Sequence, residues 1–172
     1  DEFRVYTAEF AADPLLRPRL SVSYTPAGAG SPTPTPTIAY GSPTAAAFQQ
    51  LVSPPQYTGT VDTYISDYGD PDSNYGAEGA MRLRSNDHRA SLIRFDLAGI
   101  PASAYVYSAT LHLYSQSRTN LNPLPVSAHR LLRPWVDVEA TWYRASAQQR
   151  WAFPGANGLT TDRSAEAFAT MM

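Results

Sequence analysis

The chain contains no cysteine and no lysine. Without cysteine there are no disulfide staples, no thiolate nucleophile and no thiolate-bound zinc. Without lysine all 13 cations are arginines, a bias that fits a GC-rich genome as readily as any chemistry. A net charge of −2 offers no basic footprint for nucleic acid or an anionic membrane. No apolar run approaches the roughly 20 residues needed to span a bilayer, and no signal peptide is evident. Catalytic signatures are missing too: there is no His-Glu-x-x-His, no Gly-x-Ser-x-Gly and no phosphate loop. His88, His112 and His129 are scattered, so a non-enzymatic protein is expected. The chain opens on Asp1, as a processed chain or an excerpt would.

What is present is β-patterning. At 172 residues and 43% apolar content the chain can bury one core, which favours one main domain. In 19–25, Leu20, Val22 and Tyr24 alternate with Arg19, Ser21 and Ser23, the period of a strand with one buried face. Ser91–Leu97 repeats the alternation with Ile93, Phe95 and Leu97 on one side. Further strands are expected at 110–114 and 126–132. Short strands punctuated by Gly, Pro and Asn predict an all-β sandwich. Its core is expected to comprise Ile65, Leu83, Ile93, Phe95, Leu97, Leu111, Leu113 and Leu132. Helical turns are expected only over Thr44–Leu51 and Arg163–Met171.

Residues 26–56 are expected to form a linker, and its segment 26–43 alternates Pro and Thr, which favours an extended polyproline II spacer. Its threonines are candidate O-glycosylation sites in an exported protein.

Several clusters invite a chemical reading. Asp67, Asp70, Asp72 and Asn74 share one loop, where closely spaced hard oxygens suit calcium; equally, such residues build turns by bonding their own backbone. Asp62, on a strand, would extend the site or pair with an arginine. Asp137 and Glu139 share a face if that stretch is extended. Arg82 and Arg84 project from one strand face and, with Arg94, form a forked-donor patch suited to carboxylated sugars or a solvated, ion-paired surface. Tyr68, with Tyr64, Tyr75, Tyr105, Tyr107 and Tyr114, offers flat faces to a sugar ring or to the sheet itself. Trp135, Trp142 and Trp151 are expected in the core or as loop anchors.

A set of motifs in order carries a family likeness: Asp62-Thr-Tyr-Ile, Asn74-Tyr-Gly, Leu92-Ile-Arg-Phe-Asp-Leu followed by Ile100-Pro101, Ser108-Ala-Thr-Leu-His-Leu-Tyr114, Trp135, Thr141-Trp142 and Trp151-Ala-Phe-Pro-Gly-Ala156. Over 57–162 the chain resembles the DNRLRE domain, a family related to the disaggregatase repeat and overlapping carbohydrate-binding modules. The literal string that names the family is absent. The resemblance implies a jelly-roll sandwich in extracellular or cell-surface proteins. It also makes residues 1–25 similar to that domain's closing strands, so the sandwich over 57–172 is expected to be C-terminally incomplete. Phe3, Val5, Leu20, Val22 and Tyr24 would then be assembly residues.

Two functions follow. One is a structural subunit of an extracellular filament, built from identical subunits or adjacent repeats whose donated N-terminal strands complete the neighbour's sheet. The other is a carbohydrate-binding module of a secreted polysaccharide-degrading enzyme, with polysaccharide as the partner. In a third arrangement the linker folds back and the strands complete their own domain.

Overall fold

The computed structural model describes residues 1–27 and 42–171, so the centre of the Pro/Thr spacer lies outside the described residues. Within them are twelve strands: β1 (Glu2–Tyr6), β2 (Arg19–Thr25), β3 (Thr44–Gln49), β4 (Thr60–Ser66), β5 (Ala80–Arg84), β6 (Arg89–Phe95), β7 (Tyr105–His112), β8 (Ser115–Arg118), β9 (Val126–Ala128), β10 (Arg144–Ser146), β11 (Gln149–Arg150) and β12 (Ala169–Met171). A five-stranded sheet runs β4-β6-β5-β1-β8 and a three-stranded sheet β3-β2-β7, with two ribbons, β10-β11 and β9-β12. Every strand pairing is antiparallel, and the all-β class expected from the sequence is the class observed. Among the described residues no helix is long and apolar enough to cross a membrane.

The first 25 residues supply an interior strand to each of the larger sheets. β1 lies between β5 and β8, with Phe3 opposite Leu83 and Val5 opposite Met81. β2 lies between β3 and β7, with Leu20 opposite both Phe48 and Leu111. The connection between them is fixed by two buried polar side chains. Arg17 donates from Nε to the Phe10 carbonyl (2.8 Å) and from Nη1 to that of Gln50 (3.0 Å). Gln49 donates to the carbonyls of Leu15 (3.0 Å) and Arg17 (2.9 Å). The strands that a filament would donate are thus paired within their own chain, which is the folded-back arrangement.

Two clusters make the core. The larger joins Ile65 of β4 and Leu92 of β6 to Trp135, Trp142 and Trp151, all at most 9% exposed. The tryptophans are core residues, and Trp151 donates its indole N–H to the Thr141 carbonyl at 3.0 Å. Gly155 is required here: its φ is +78°, and a Cβ there would sit 2.5 Å from the Trp142 ring. The smaller cluster joins Val22, Tyr24 and Phe48, with Phe95 packed against it.

Several expectations are corrected. Thr44–Gln49 is strand β3, inside the stretch expected as linker, and Ala169–Met171 is strand β12; neither forms a helical turn. Local preference for helix at Ala45–Ala47 gives way to six paired residues along β2. Asp137–Glu139 forms a turn, not an extended face. On β6 the larger core takes Leu92, on the opposite face from Ile93 and Phe95. Leu97 and Leu132 are exposed (39% and 43%), and Leu83, Ile93, Leu111 and Leu113 are half-buried. Leu83, Leu111, Leu113 and Leu132 line an open cleft of about 840 Å³ instead of meeting one another, while Ile93 lies opposite Asp62 on the face of the sheet that carries Arg89.

Asp162 organises the loop under the tryptophans. It is fully buried and accepts from the N–H groups of Ala152 (2.9 Å), Phe153 (3.0 Å) and Gly158 (3.1 Å) and from Arg133 Nε (2.6 Å). Burial opposes its charge, but these four donors outweigh burial and hold its pKa below the usual carboxylate range. We expect Asp162→Ala to cost about 3–5 kcal/mol, since it strands the Arg133 charge and three amides. Urea unfolding at pH 7 followed by tryptophan fluorescence measures this; a loss under about 1 kcal/mol contradicts the role. Because the folded pKa is depressed, the Asp162 contribution is complete above about pH 4 and is lost as pH falls through the folded value.

Candidate functional site

Alternation along β5 places Arg82 and Arg84 on one face of the five-stranded sheet and Met81 and Leu83 on the other. Pairing then extends that face. Arg84 lies opposite Glu2 of β1 and Arg89 of β6; Arg82 lies opposite Arg4; Tyr64 of β4 lies opposite Ser91. Glu2 is 4% exposed and receives three arginines: Arg4 at 3.2 Å, Arg84 at 3.3 Å, and Arg89 in a short ion pair. Burial works against the Glu2 charge, yet the surrounding guanidinium groups lower its pKa overall. Arg82 pairs with Glu78 at 3.2 Å, so four guanidinium groups face two carboxylates and the strip keeps an excess of positive charge.

The loop after β4 lays aromatic rings along these cations. Tyr75 stacks on the buried Tyr64 (4.2 Å between centroids, 12° between planes). Arg82 lies 5.4 Å from the Tyr64 centroid. Arg84 lies 4.0 Å and Arg89 5.2 Å from the centroid of Tyr68, whose side chain is 54% exposed. The result is a row of alternating phenol rings and guanidinium forks, buried at Tyr64 and open at Tyr68. Cation–π contact of this kind contributes about 0.5–2 kcal/mol and fixes the plane of the fork.

Of the ligand-binding residues read from the sequence, Arg82, Arg84 and Tyr68 come together on this face. Arg94 does not join them: it projects from the core side of β6, 5.6 Å from the Trp135 ring centroid. Tyr105 and Tyr107 are exposed on β7, but their rings close edge-to-face on each other at 4.9 Å. Glu2, Arg4 and Arg89 were not singled out by sequence reasoning. The only trace of Glu2 is its alternation with Arg4, and nothing in a linear pattern pairs it with Arg84, 82 positions away.

The loop acids are directed elsewhere. Asp67 pairs with His88 at 2.9 Å. Asp70 accepts from its own turn, the Asp72 N–H (3.0 Å) and the Ser73 hydroxyl (2.8 Å), which lower its pKa. Asp72 is exposed, and Asn74 donates to the carbonyls of Asp137 (2.6 Å) and Ala140 (2.8 Å). Among the described residues no group of three or more His, Cys, Asp or Glu side chains is arranged to hold a metal ion.

The domain is antiparallel and all-β, with a cationic, aromatic strip on one sheet face. The family model for carbohydrate-binding module family 96 matches residues 54–152, more than half of the chain, and the protein belongs to that family. The match begins before β4 and ends beyond Trp151, so it takes in the tyrosine loop, Arg82, Arg84 and Arg89, while Glu2 lies outside it. No curated protein and no solved structure matches the chain.

Glu2→Ala is expected to destabilise the fold by about 2–3 kcal/mol, less than a fully buried pair because Arg4 and Arg84 keep partial contact with water. A urea titration checks this. A midpoint unchanged from the native protein would show that the arginines do not depend on Glu2.

Proposed function

We propose that the protein is a non-catalytic, extracellular carbohydrate-binding module, and that its ligand is a carboxylated polysaccharide lying along the Arg82–Arg84–Tyr68 strip. The observation that carries this reading is the exposed Tyr68 ring beside guanidinium groups with excess positive charge, in a chain of a carbohydrate-binding family. A sugar ring presents its apolar C–H face to the phenol, while a uronate carboxylate takes two parallel N–H bonds from a guanidinium fork. Glu2 holds Arg84 and Arg89 in place before a ligand arrives, so little side-chain entropy remains to be lost on binding. The likeness to the DNRLRE domain accompanies the same residues and belongs to this reading. The head-to-tail filament has no comparable observation in its favour, because β1 and β2 are paired at home.

Titration calorimetry of the intact chain against a polyuronate and a neutral glucan tests the proposal. The polyuronate should bind and the glucan should not. Binding should weaken as salt rises, because the contacts are ionic and exposed. Tyr68→Ala and Arg84→Ala should each cost about tenfold in affinity, corresponding to about 1.4 kcal/mol. Equal binding of both polymers, or unchanged affinity in both variants, would overturn the assignment of this face.

A further inference from the structure

The cleft between the sheets plays no part in the binding described above. Leu83 of β5 and Leu92 of β6 reach it from the five-stranded sheet, Leu111 of β7 reaches it from the three-stranded one, and the segment 124–135 supplies much of the remaining wall. At about 840 Å³ it falls within the range of roughly 300–1,000 Å³ in which small-molecule sites lie. Large apolar side chains on its wall stay open to water: Leu132 is 43% exposed and Phe168 70%. Exposed apolar residues gathered around a concavity mark a ligand groove, whereas the same residues scattered singly would not.

The charge on the wall is of one sign. Arg84 and Arg89 border the cleft but are committed to Glu2, and Arg133 is committed to Asp162 at 2.6 Å. Among the described residues Arg94, Arg130 and Arg163 have no carboxylate partner, and Asp87 is the one acid bordering the cleft. Arg94 lies 5.6 Å from the centroid of the Trp135 ring, and the buried Nε of Arg163 has no hydrogen-bond partner. Backbone pairing keeps Arg130 and Arg163 side by side. Leu131 bridges to Arg163, the Ser164 N–H donates to the Arg130 carbonyl (2.9 Å) and the Leu132 N–H to that of Asp162 (2.8 Å). Guanidinium groups beside an aliphatic wall and without a counter-charge favour an anion that brings apolar surface with it.

We propose that the cleft binds a long-chain fatty carboxylate, with the carboxylate on Arg163 and Arg130 and the acyl chain along Leu83, Leu111, Leu113 and Leu124. An acyl chain has no polar groups to leave unpaired against leucines, whereas a peptide would bring an amide at every residue. A guanidinium takes a carboxylate through two parallel N–H bonds, and its weak hydration lowers the cost of meeting one beside an apolar wall. A polyuronate carries carboxylates without an apolar chain. The two surfaces therefore select different ligands, and this site is independent of the strip.

The test is titration of the intact chain with sodium tetradecanoate, held below its critical micelle concentration, followed by calorimetry and by the fluorescence of the tryptophans, of which Trp135 borders the cleft. One equivalent should bind. Sodium octanoate should bind at least about tenfold more weakly, since each buried methylene contributes up to about fourfold in affinity. Tetradecanol, which lacks the charge, should also bind about tenfold more weakly. Leu132→Glu sets a carboxylate on an exposed part of the wall and should abolish binding while melting as the native protein does. Arg163→Gln should cost about tenfold in affinity, and the exposed Arg130→Gln serves as the second variant if Arg163→Gln does not fold. The proposal is overturned if tetradecanoate does not saturate at one equivalent, if octanoate or tetradecanol binds as tightly, or if the affinity survives in Leu132→Glu and in both arginine variants. It is also overturned if the chain dimerises and Leu132→Glu makes it monomeric, because a second copy would then be what covers the cleft.

Discussion

Everything in this fold depends on where the first 25 residues go. A strand in the interior of a sheet satisfies both of its edges, so its removal exposes two rows of backbone donors and acceptors, not one. β1 and β2 each occupy such a position, in different sheets, and the 7–18 connection between them is held by Arg17 and Gln49. The same placement brings Glu2 to the arginines of β5 and β6 and the Ala8 N–H to Asp62 of β4. One segment therefore supplies sheet continuity and the carboxylate on which the arginine cluster relies. That division also explains why the family match, which starts at residue 54, covers the arginines but not the carboxylate that orders them.

Three buried carboxylates show how surroundings decide the state of one functional group. Asp162 meets three amides and an arginine, and its charge is stabilised despite complete burial. Glu2 meets arginines alone, and their field again overcomes burial. Asp62 meets one amide, and burial prevails. The first two stiffen loops and side chains around them because hydrogen-bonded charges tolerate little displacement in a low-dielectric interior. The third holds its proton more tightly than an ordinary carboxyl, where the Ala8 N–H meets strand β4.

How much of this was legible in the sequence depends on the range of the interaction. Strands β2 and β6 were readable because period-two alternation is local, and Arg82 and Arg84, two residues apart, fell on one face of any strand drawn through them. The tryptophans were readable as core from their size. The face of β6 was not: Ser91–Phe95 carries apolar residues on both sides, and only the position of the tryptophan cluster selects Leu92. β3 was hidden because Ala45–Ala47 carries no strand signal of its own, its conformation being imposed by β2. Glu2 was hidden for a related reason, since an ion pair between residues 2 and 84 is a property of the register.

Among the described residues a cleft and a sheet-face strip are candidates for a ligand, and chemistry separates them. The cleft is large and mixed: aliphatic side chains such as Leu83, Leu111 and Leu113 share its wall with Arg94, His129, Arg130 and Arg133, while the tyrosine rings that pair with guanidinium groups at Tyr64 and Tyr68 are not part of it. The strip on the opposite side of β5 offers what a charged sugar needs: a flat exposed ring, forked donors held in plane, and water on the outer side for the hydroxyls that face away. Alternation in β5 thus sends Leu83 to the cleft and Arg82 and Arg84 to the strip, so neighbouring residues of one strand serve the two surfaces.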